Sequence, residues 1–138
     1  MNRVEKATFA VIATPVVFAA SARVARLRRR LGLGPLVTEI RSAGRRPLPR
    51  WLARPLWLAG TVEQWLPVLP PYGYGPCLKR ALILLDLWSR CGLTPTLHLG
   101  FRARSLEPGG HAWISAEGAD GVLFRASGPN GTQPVFDL

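Results

Sequence analysis

Four side chains in this 138-residue chain carry the types suited to nucleophilic or metal chemistry: Cys77, Cys91, His98 and His111. Cys77 lies where the Pro- and Gly-rich run LPVLPPYGYGP (residues 66–76) meets CLKRALILLDLWSRCG, whose Leu78, Ala81, Leu82, Leu85 and Trp88 recur at helical spacing. A thiol at the start of a helix meets unpaired amides and the positive end of the macrodipole, and both favour the nucleophilic thiolate. Such a nucleophile needs a base, and a histidine is the usual partner. His111 opens a predicted strand directly after Gly109-Gly110 and shares a strand face with Trp113. His98 lies inside another predicted strand, on the face opposite Leu97 and Leu99.

Zinc is the competing use of the same four residues. Their spacing argues against it, because there is no Cys-x-x-Cys pair and both cysteines fall along one predicted helix. Fourteen residues of helix span roughly 21 Å, whereas a disulfide needs Cα atoms within about 7 Å. Cys77 and Cys91 are therefore expected to be free thiols, which suits a reducing, cytoplasmic setting.

The elements that must hold these residues can be read along the chain. Residues 1–31 read as helical, kinked at Pro15 and stopped by Gly32 and Gly34-Pro35. A second helix is expected at about residues 36–42, followed by an irregular basic stretch through Pro47, Pro49 and Pro55, with Trp51, Trp57 and Trp65 as apolar contacts and Thr61 capping a short turn. After the Cys77 helix, which Gly92 and Pro95 end, residues 96–102 alternate as a half-buried strand. Residues 111–116 and 122–126 read as two strands joined by a hairpin at Glu117-Gly118-Ala119-Asp120-Gly121, and the tail 127–138 reads as loop. This order gives an α+β fold, a helical N-terminal half followed by a Cys-bearing helix on a small antiparallel sheet. The length fits one domain over residues 1–138, with a basic helical part (1–65) and a core (66–138).

The runs CLKRAL (77–82), RCGL (90–93), LHLGFR (97–102) and HAWI (111–114) together resemble the transglutaminase-like cysteine peptidases that remove leader peptides from lasso-peptide precursors, in their stand-alone form. The resemblance covers about residues 66–118. It implies a transglutaminase/papain-like core with Cys77 as nucleophile and His111 as general base, acting by acyl transfer to sulfur and then hydrolysis. It also implies a precursor leader peptide as substrate, a separate leader-recognition protein and a ring-closing, asparagine-synthetase-like enzyme as partners, and a link to ATP, for which the chain has no phosphate-loop motif. The family's orienting aspartate falls about 12 residues past the histidine, where Leu123 stands; Asp120, Asn130 and Asp137 are the substitutes nearby.

Composition sets the wider bounds. With 48% hydrophobic and 19% charged residues the chain is globular. Residues 1–56 hold 12 basic against two acidic side chains, so the whole net charge of +10 sits there. Arg23, Arg26 and Arg30 share a helical face beside an apolar stripe, which reads by default as a solvated face and otherwise as a surface for an anionic membrane, with nucleic acid less favoured; the resemblance adds an acidic partner or leader peptide. The apolar run 7–20 is short for a bilayer span, and Ala20-Ser21-Ala22 resembles a signal-peptidase site, but the arginines that follow resist export. The other reading from the same residues is a catalytically weakened member that keeps the fold and acts as a basic binding or partner protein.

Overall fold

The computed structural model describes residues 3–71, 75–101, 111–117, 123–126 and 133–137. Helix α1 (Arg3–Arg28) runs unbroken through Pro15, which lies on its exposed side beside Val11, whose carbonyl loses its helical donor. The opposite side, Phe9, Ala13, Val17, Ala20, Ser21 and Val24, is buried. Among the described residues α1 is the helix long and apolar enough to cross a membrane by length and composition. It falls within the helix expected over residues 1–31, reaching past the apolar run 7–20 through charged residues at both ends.

Helix α2 (Leu33–Arg41) starts a few residues earlier than its apolar spacing indicates. Gly32 is its N-cap in an extended conformation, and Pro35 falls in the first turn, where a missing N–H costs nothing. A 3-10 turn, Ser42–Arg45, follows. Helix α3 (Pro55–Trp65) corrects the irregular reading of this region. Pro55 supplies the first helical residue rather than a break, and Leu58 and Val62 bury one side. Thr61 is consequently mid-helix and buried, its hydroxyl donating to the Trp57 carbonyl at 3.0 Å instead of capping a turn.

A 3-10 turn, Leu66–Val68, leads toward helix α4 (Pro76–Arg90). Sequence spacing suggests an amphipathic helix, but every residue from 81 to 89 is buried. The reason is topological: α1, α2, α3 and the sheet all pack against α4, so no side of it is left for water. Trp88 is fully enclosed, with Nε1 donating to the Pro55 carbonyl at 3.0 Å. Gly92, at φ 82°, turns the chain in the left-handed conformation that glycine adopts without strain.

Four antiparallel strands follow: β1 (Thr96–Phe101), β2 (His111–Glu117), β3 (Leu123–Ala126) and β4 (Gln133–Asp137), in the order β3-β2-β1-β4. The tail thus contributes an edge strand where its Gly, Pro and Asn content suggested loop. The hairpin residues 118–122 lie outside the described residues. Leu97, Ala112, Ile114 and Ala116 bury one sheet face in the same core as α4. The architecture is α+β.

Candidate active site

Cys77 is the second residue of α4, after the N-cap Gly75 and Pro76, and its side chain is half-buried. The helical ladder supplies no partner for the N–H groups of its first residues, so the Cys77 and Leu78 amides stand at the positive end of the helix. The approach to this turn is fastened from three helices. Ser21 of α1 donates its hydroxyl to the Pro70 carbonyl, and the buried Lys79 donates Nζ to the Leu69 carbonyl at 2.8 Å. Arg80 forks onto Glu63 of α3, Nε to Oε2 at 2.6 Å and Nη2 to Oε1 at 2.9 Å. Burial pushes the Lys79 ammonium below its ordinary pKa. Burial alone would lower Arg80 as well, but the hydrogen bond and charge of Glu63, with a smaller contribution from Cys77, raise it.

Cys91 is a different kind of thiol. It ends α4 at the C-cap, and burial pushes its pKa up to about 12 against the pull of Arg90, so it stays protonated at neutral pH. The two cysteines are free and lie at opposite ends of one helix.

On the sheet, His111 is the first residue of β2 and pairs with Gly100 of β1. Residues 91–95 join α4 to β1, and both β1 and β2 pack on α4. By register His111 belongs to the row of Trp113 and Ser115, which alternates with the α4-facing row of Ala112, Ile114 and Ala116.

His98 occupies the middle of the same face. Its ring stacks on Trp113 at 5.3 Å between centroids, and its Nε2 lies 2.6 Å from the Ser115 hydroxyl. Trp113 is buried, though outside the main core. Sequence alternation placed His98 on this face but gave no sign of the Ser115 contact, which depends on strand register.

The register also redraws the search for an orienting carboxylate. Asp137 pairs with His98, and β1 separates it from β2; two strand spacings are about 10 Å. Asp137 is therefore a neighbour of His98 and not of His111. Leu123 pairs with Glu117, at the far end of β2 from His111, so a carboxylate at that position could not reach the imidazole. Asp120 and Asn130 lie outside the described residues.

One sequence missed by motif reading is the Arg23 network. Arg23 sits 3.4 Å from the buried Asp86 and donates to the Glu39 carbonyl at 2.9 Å and the Ser42 hydroxyl at 3.1 Å. The arginine read as part of a solvated face is thus turned inward and joins α1 to α2 and α4.

Comparison with known proteins adds one finding. A family model described as the transglutaminase-like superfamily matches residues 15–127. No curated protein and no solved structure gives a significant match.

Proposed function

The chain belongs to the transglutaminase-like superfamily, and on that premise we propose that it is a cysteine peptidase that removes the leader from a ribosomally made lasso-peptide precursor. The observation that carries the reading is the position of Cys77: a half-buried thiol on the first turn of the central, buried helix. The leader specificity rests on the resemblance of CLKRAL, LHLGFR and HAWI to that family of peptidases.

In this mechanism the Cys77 thiolate attacks the scissile carbonyl, and the amides at the start of α4 face the oxyanion. His111 takes the thiol proton and returns it to the leaving amine. Water then attacks the thioester, with His111 as base, and releases the leader acid and free Cys77. The leader-recognition protein and the ring-closing enzyme act before and after this step, and these partners, like an ATP dependence of the peptidase, are carried by the resemblance alone.

A second reading, a weakened member serving as a basic binding or partner protein, is favoured by the register that keeps Asp137 off His111. Alkylation of the folded protein, followed by mass spectrometry from pH 5 to 9, separates the two. Selective labelling of Cys77 where an ordinary thiol of pKa about 8.5 is protonated, lost in His111→Ala, supports the peptidase. Equal or absent labelling of Cys77 and Cys91 supports the binding protein.

A further inference from the structure

The outward side of α1 carries no charge from residue 7 to residue 22, a stretch of about 24 Å. Val4 and Val11 are 71% and 73% exposed, and Phe18 continues their seven-residue spacing with Ile12 beside them. A helix that is apolar on every side is normally covered on every side, by protein or by lipid. Here one side is covered by the core and the other is open.

Two further features adjoin this open side. Val4, Ile12 and the exposed Trp51 line one hollow, together with Glu5 and Arg54. At the other end Arg23, Arg26, Arg29 and Arg30 line a second hollow, and Arg26 follows Phe18 and Ala22 at four-residue steps. An apolar strip with an indole at its edge and arginines at its end has the chemistry of a bilayer interface, where acyl chains meet the strip and lipid phosphates meet the guanidinium groups.

We propose that α1 seats this protein on an anionic bilayer surface, lying in the plane of the interface through Val4, Val11, Ile12, Phe18 and Trp51, with Arg26 and Arg29 on lipid phosphates. The helix lies on the membrane and does not span it. Its inner side holds Ser21 against Pro70 and Arg23 against Asp86, and spanning would strip both from the fold. The seat is independent of the peptidase reading.

Flotation with vesicles of three parts phosphatidylcholine to one part phosphatidylglycerol tests it, with phosphatidylcholine alone as reference. The full chain floats with the anionic vesicles, added salt releases it, and alkaline carbonate strips it off. Arg26→Glu with Arg29→Glu, and separately Val11→Asp, each cut partitioning by about tenfold or more while the circular dichroism spectrum stays unchanged. Equal binding to both vesicle types, carbonate resistance, or unchanged partitioning of the variants overturns the proposal. So does concentration-dependent dimerisation without lipid that Val11→Asp abolishes, since the occupant would then be a second copy.

Discussion

Arg80 grips both carboxylate oxygens of Glu63 while standing one helical turn from Cys77. The fork ties the nucleophile-bearing turn of α4 to α3 and holds a permanent positive charge beside the thiol. Arg80→Gln should therefore slow alkylation of Cys77 at neutral pH by about two- to fivefold, the range of a partly exposed charge pair. Glu63→Gln should have a smaller effect, because the charge stays and only its anchor is weakened. If Arg80→Gln labels at the native rate, the guanidinium is a surface clamp without influence on the thiol.

The loop before Cys77 offers a second test. Lys79→Met leaves the Leu69 carbonyl without its buried donor, and Ser21→Ala does the same to the Pro70 carbonyl. Each should lower unfolding stability by about 1–3 kcal/mol, as for an unsatisfied buried acceptor. Urea titration followed by tryptophan fluorescence measures it, and losses within 0.5 kcal/mol of zero would mean that solvent replaces both donors.

Two glycines should respond with opposite signs. A Cβ at Gly44 would lie 3.1 Å from the Ser89 carbonyl, a backbone atom of the enclosed α4, whereas a Cβ at Gly60 meets nothing within 4 Å on the exposed side of α3. Gly44→Ala should destabilise by about 1 kcal/mol or more, and Gly60→Ala should stabilise by about 0.5–1 kcal/mol through helix propensity. Thermal unfolding of the two variants checks the contrast; like signs would contradict the packing of the Ser42–Arg45 turn on α4.

Local signals made part of this legible. Gly75-Pro76 before Cys77 and Gly92 after Arg90 mark both ends of α4, and the alternation of Leu97, His98 and Leu99 gives β1 with its correct faces. α3 was hidden because Pro55 at a helix start looks like Pro47 and Pro49 in a loop until a helix is known to follow it. β4 was hidden because an edge strand with Pro134 lacks the usual strand composition, and its pairing with β1 is a long-range fact. The same holds at the site. Cys77 and His111 could be nominated by local context, but which carboxylate stands beside which histidine depends on register, and counting 12 residues from His111 lands opposite Glu117 instead.

The Arg23–Asp86 pair predicts an unusual pH dependence. Burial raises the Asp86 carboxyl to about 6, with Arg23 and Arg90 pulling the other way. The folded state thus binds this proton more tightly than the unfolded chain, where an aspartate titrates near 4. The contribution to stability is full below about pH 4 and is lost as pH rises to about 6, a difference on the order of 3 kcal/mol. Asp86→Asn keeps the shape and a hydrogen-bond acceptor for Arg23, which also retains Glu39 and Ser42, but it has no proton to lose. Unfolding free energies from urea titrations at pH 4.5 and 7.5 should show Asp86→Asn gaining on the native chain by about 2 kcal/mol between the two pH values. A gap between the two proteins that does not change with pH would mean that Arg23 holds Asp86 ionised throughout, and that the pair is a net attraction despite its burial.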